Sequence, residues 1–195
     1  MFATRQYHFG PLPDASWAVF FLGGLYLGGT RVFALFMVAA VAIDYIATEH
    51  LGVSTYCLSP AYVFLLPAYA TLWLGGAVVA RRWRRERPVR NGALAAVALT
   101  LSVSVCFLVS NGTFYWFGGR VPMPSLSGWV ANLRDWYGYF LAVPCAYAAG
   151  AGLLRGLAER VAVPALPPAH AEPLAQGGPS QEVPSGTAAR STGGG

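Results

Sequence analysis

Two apolar runs, Ala61–Ala80 and Gly92–Ser110, flank a ten-residue stretch, Arg81 to Arg90, that carries six arginines. Each run is close to the ~20 apolar residues a helix needs to cross the hydrocarbon core of a bilayer, and the charges between them cannot enter it cheaply. The pattern demands a helix, a basic loop at one membrane face and a helix back. It also excludes a nucleic-acid groove, because the positive charge is confined to one short loop. Composition agrees: 55% of the 195 residues are hydrophobic and 11% charged, against roughly a quarter charged in soluble domains.

The remaining spans follow from the same criterion. Trp17–Ala47 is long enough for one helix, but Gly28-Gly29-Thr30-Arg31 lies near its middle, and glycine followed by a cation is helix-stop chemistry. A hairpin of two short helices, 16–29 and 32–47, brings Arg31 to a membrane surface and is preferred to one helix that would bury it. With 61–80, 92–110 and 136–157, the expected fold is an all-α integral membrane bundle of five spans over residues 1–160. From Val161 the chain turns to Pro, Gly, Ala and Ser, a tail expected to be disordered. Arginine excess marks cytoplasmic loops, which puts Arg81–Arg90 and the tail inside. Residues 1–15, 48–60 and 111–135 then face outward. The N-terminal MFATRQYHFGPLPDA is too polar for a signal peptide.

The outward segments hold most of the chemically useful side chains: Arg5, His8, Glu49, His50, Cys57, Asn111, Trp116, Arg120, Arg134 and Asp135. Such a set fits the mouth of a ligand site, and it equally fits an ordinary polar and aromatic interface. Asp44, in the apolar setting VAIDYIA in the last turn of its expected helix, faces a cavity or snorkels to water. Cys57 precedes Pro60, the expected first residue of the next helix. A thiolate near a helix N-terminus is favoured by the dipole and serves as nucleophile or soft metal ligand; the alternative is an inert small hydrophobe. Tyr62, on the first turn of that helix, reaches a ligand or sits in the aromatic belt. Arg134 beside Asp135 clamps a phosphate or amide, or pairs with its neighbour. The three cysteines have no CxxC spacing, so neither a zinc ribbon nor a c-type haem site is encoded.

Certain strings occur together: HFGPLP from His8 to Pro13, the FFLGGLYLGG hairpin, Asp44, Ser110-Asn111 with Trp116, and Pro124 with Gly128. Over residues 5–158 this order resembles the substrate-binding S components of energy-coupling-factor (ECF) vitamin transporters. The set His8, Asp44, Cys57, Tyr62 and Arg134 is similar to that of the BtuM family of solitary cobalamin transporters. The resemblance implies a bacterial inner-membrane protein for cobalamin uptake. Cys57 would bind the cobalt, and His8, Asp44, Tyr62 and Arg134 would contact the corrin's amide side chains or nucleotide loop. It also implies slow, thiol-dependent decyanation of cyanocobalamin. Beyond cobalamin and the bilayer, an ECF energising module is the one expected partner, unless the transporter works alone.

Two other readings are compatible with the residues: an S-component-like carrier of another small metabolite, in which Cys57 is incidental, and a scaffold that uses its Arg loop and the glycine pairs Gly24/Gly28 and Gly152/Gly156. The family has six helices, the extra one preceding the His8 motif, so the expectation is a reading frame that starts one helix late. Coding sequence directly upstream of Met1 should then encode an in-frame apolar segment of about 20 residues.

Overall fold

The computed structural model describes residues 13–51, 60–84 and 86–161, with backbone alone at 50, 51 and 161. The described chain is all-helical: α1 (Ser16–Tyr26), α2 (Thr30–Leu51), a 3₁₀ turn (Pro60–Phe64), α3 (Leu65–Arg82), α4 (Pro88–Phe117) and α5 (Leu126–Val161). His8, Cys57 and the tail lie outside the described residues.

Residues 16–47 form a hairpin rather than one helix. Gly28 and Gly29 both take positive φ, 63° and 75°, a conformation that costs glycine little, and the N–H groups of Leu27 and Gly28 both donate to Gly23 O. The apolar α2, α3 with its 3₁₀ lead-in, α4 and α5 are each long enough to cross a membrane, and their exposed positions are oily, as at Leu35, Val38, Val97, Leu101, Leu153 and Leu154. A chain with so much exposed apolar surface on long helices is a multi-pass membrane protein. The first expected span is corrected. α1 has 11 residues, about 17 Å of helix, roughly half the hydrocarbon thickness.

What α1 lacks in length it makes up in burial. Ser16, Ala18, Phe20 and Phe21 are almost wholly enclosed. The aromatic pair Phe20–Tyr69, at 4.5 Å between centroids, and the contact of Gly24 with Trp73 show that α1 runs parallel to α3. A Cβ on Gly24 would collide with the Trp73 carbonyl, and one on Gly76 with the Phe21 carbonyl. The two Leu-Gly-Gly strings, 22–24 and 74–76, therefore let two backbones touch, the usual way helices associate where lipid removes the hydrophobic drive. On the other side of α3, Gly75 meets Ser102 of α4, and Thr71 Oγ donates to the Ser102 carbonyl at 3.2 Å.

α2 and α5 are attached differently, through rings. Phe33 and Phe36 of α2 pack edge-on against Trp73, each at 5.6 Å. Phe140 of α5 meets Trp17 at 5.1 Å and Phe107 at 5.3 Å.

At the arginine-rich end the α3–α4 loop is tied by Asn91, only 2% exposed, whose amide accepts from Arg84 N–H and donates to Arg84 O at 2.6 Å. Pro88 starts α4, where its missing N–H costs nothing. Arg81 and Arg82 occupy the last turn of α3, favourable to its dipole. Arg155 lies over Tyr26 and Trp83, 5.2 and 5.9 Å from their ring centroids.

The glycine contacts separate two kinds of position. Gly24→Ala or Gly76→Ala should each destabilise the bundle by about 1–3 kcal/mol through overpacking. Gly152→Ala and Gly156→Ala, where an added Cβ meets nothing within 4 Å, should leave thermal unfolding in detergent unchanged.

Candidate functional site

The polar groups gather at the end opposite the arginine loop, in two centres on different helices. The first joins α2 to the 3₁₀ turn. Asp44 is 8% exposed and its Oδ2 accepts a hydrogen bond from the Tyr62 hydroxyl at 2.7 Å. Thr48 Oγ donates to the Asp44 carbonyl at 2.9 Å, one turn further along. Asp44 is not in the last turn of α2, because that helix runs on to Leu51. Its carboxylate therefore lies two turns inside the helix end, buried and facing α3's lead-in. A carboxylate taken out of water is stable only when hydrogen-bonded, and Tyr62 supplies such a bond. Pro60 and Ala61 begin the 3₁₀ turn that holds Tyr62 in place.

The second centre joins α4 to α5. Both helices extend beyond the expected spans, to Phe117 and from Leu126, so much of the segment read as a loop over 111–135 is helical. About 45 Å of α4 and 54 Å of α5 exceed the thickness of a hydrocarbon core. Where the sequence turns polar, side chains bridge the pair. Asn111 Nδ2 donates to Asn132 Oδ1 at 2.6 Å, and the Trp129 indole donates to Asn111 Oδ1 at 3.1 Å. Trp116 meets Trp129 edge-on at 6.4 Å. The Ser125 N–H reaches the Tyr115 hydroxyl, and Gly128 lies so close to that hydroxyl that a Cβ there would clash. The string of Asn111, Trp116, Pro124 and Gly128 thus builds a helical hairpin.

Of the expected site residues, the structure brings Asp44 and Tyr62 together. Arg134 is exposed and borders a cleft between α4 and α5 whose lining includes neither. Glu49 and His50 fall on the last turns of α2 rather than in a loop. His8 and Cys57 lie outside the described residues. Sequence reasoning missed Thr48, Trp129 and Asn132. The signal for the last two was present, since Trp129 and Asn132 are three apart and share a helix face.

The Asp44–Tyr62 bond can be checked without a ligand. Tyr62→Phe should cost about 1–3 kcal/mol by withdrawing a donor from a buried carboxylate. In a double-mutant cycle with Asp44→Ala, read by thermal unfolding in detergent, the two losses should be non-additive. Comparison with models of known protein families finds no match, and comparison with curated proteins finds no relative.

Proposed function

We propose that this chain binds cobalamin and carries it across the bacterial cytoplasmic membrane, with the Asp44–Tyr62 end facing outward and Cys57 as the cobalt ligand. The supporting observation is the buried Asp44–Tyr62 pair at 2.7 Å, a polar centre inside an apolar bundle, where ionisable side chains commonly line a ligand path. The pair sits on the two elements that bracket the Cys57 segment, the end of α2 and the 3₁₀ turn. Cys57 is three residues from Pro60, so covalent geometry alone holds their Cα atoms within about 11 Å.

The chemistry follows from the residue types. A soft thiolate is a suitable ligand for cobalt. With cyanocobalamin, Cys57 Sγ forms a cobalt–sulfur bond while the cobalt–carbon bond breaks, and cyanide leaves as HCN after taking a proton from solvent. Cobalt does not change oxidation state in that exchange; an added thiol then returns Cys57 to the free form by replacing it on the metal. Asp44 is an acceptor for amide N–H groups and the Tyr62 hydroxyl is both donor and acceptor, which suits the amide-rich rim of a corrin. His8 would add a further contact from the N-terminal segment. The basic loop from Arg81 to Arg90 faces the cytoplasm on this reading.

Adding cyanocobalamin to the purified protein should shift the visible corrin bands, and Cys57→Ala should abolish the shift. Tyr62→Phe should keep the shifted spectrum but weaken binding about tenfold, the cost of one hydrogen bond to a corrin amide. A Cys57→Ala protein that binds cobalamin with the wild-type spectrum would overturn the assignment, and a wild-type protein that leaves the bands unmoved would return the site to another ligand.

A further inference from the structure

The cleft between α4 and α5 has a chemistry of its own. It is an open groove of about 380 Å³ lined by Ser104, Phe107, Leu108, Leu133, Arg134 and Tyr137. We propose that it holds one acyl chain of an anionic phospholipid, whose headgroup phosphate is bound by Arg134. The proposal does not rest on the cobalamin reading: the lining includes neither Asp44 nor Tyr62, and Arg134 is given to this cleft in place of the corrin contact that the resemblance implies.

The floor of the cleft offers no free hydrogen-bond donor to a ligand. Ser104 Oγ donates to the Thr100 carbonyl at 2.7 Å, so in its 2.8 Å contact with the Tyr137 hydroxyl the tyrosine is the donor, and both hydroxyls are engaged. What remains facing the cleft is ring and aliphatic carbon, a surface that an acyl chain covers well. Arg134 is different. It is exposed, and no hydrogen bond, ion pair or ring contact engages it among the described residues. Its guanidinium matches a phosphate in geometry and charge.

Depth selects the bilayer as the source of the ligand. Asn111 bonds Asn132 and Phe107 packs on Tyr137 at 5.7 Å, so Arg134 is level with Val109 of α4. Val109 lies 19 residues beyond Arg90 in the basic loop, about 29 Å along the helix, which is one hydrocarbon thickness. With Arg90 at one headgroup layer, Arg134 is at the other. Ser104, Phe107 and Tyr137 are deeper than Arg134, on the hydrocarbon side. The order from headgroup layer to core is therefore guanidinium, then apolar cleft, as in a phospholipid of that leaflet.

The test is native mass spectrometry of the full chain released from neutral detergent, with added phosphatidylglycerol, phosphatidylcholine or inorganic phosphate. Wild type should retain phosphatidylglycerol in preference to phosphatidylcholine. Arg134→Gln should lower that retention about tenfold, the loss of a charge-assisted contact. Leu108→Trp, at an exposed position, keeps the charge but fills the cleft, and should lower it comparably. The arginine loop attracts anionic lipid in all three proteins alike, so the differences isolate the cleft. Undiminished retention in either variant, equal retention of phosphatidylcholine, or displacement of the lipid by inorganic phosphate would overturn the proposal.

Discussion

The contact on which the bundle depends is the passage of α1 along α3 with nothing between the backbones. Gly24 abuts the Trp73 carbonyl and Gly76 abuts that of Phe21. Neither helix could come so close with a side chain at those positions. In a bilayer, where burying an apolar group gains little over leaving it in lipid, this close approach is a main source of attraction between helices. It also accounts for α1 itself. Eleven residues are too few for a stable isolated helix, and the element persists because Ser16, Trp17, Ala18, Phe20 and Phe21 are enclosed by its neighbours.

Around that centre the attachment changes character. α4 joins by the Gly75–Ser102 crossing, whereas α2 and α5 are held off by the rings of Phe33, Phe36, Trp73, Trp17 and Phe140. Aromatic rings pack through broad, tilted contacts that tolerate small rotations better than interlocked glycines. The polar pairs then set the register of these outer helices: Asp44–Tyr62 for α2, and Asn111–Asn132 with Ser104–Tyr137 for α5. Each polar centre thus lies where a ring-packed helix needs to be positioned.

The membrane class and the break at Gly28-Gly29 were legible because both rest on local chemistry: uninterrupted apolar runs, and a glycine pair before a cation. The first helix reads as short, 16–29, and ends three residues earlier at Tyr26; that it is enclosed by its neighbours rather than a span of its own depends on packing, which hydropathy does not report. The ends of α4 and α5 were misjudged for a related reason. Hydropathy falls at Ser110-Asn111 while the helix continues, carried by Thr113 bonding back to the backbone and by the Asn111–Trp129–Asn132 bridge. Asp44 and Tyr62 were legible as candidates and as neighbours of one membrane face. Their hydrogen bond, between residues 18 apart, required the 3₁₀ turn that no sequence period announces. Arg134, read as a clamp for a phosphate or amide or as a partner of Asp135, borders a different cleft, between α4 and α5.

The unequal helix lengths have a further consequence for the surrounding bilayer. Phe33 and Phe36 meet Trp73, so α2 starts roughly 7 Å, about one turn, short of the end of α3. Arg31, at that start, is exposed and draws headgroups and water inward as it reaches for them. On the flank of α4 and α5 the helices are longer than the hydrocarbon is thick. α2 itself, 22 residues or about 33 Å long, still matches the hydrocarbon, so the mismatch lies on the α4–α5 flank. Helices longer than the local hydrocarbon relieve the mismatch by tilting or by thickening the bilayer beside them, so that flank is where the protein acts on the lipid around it.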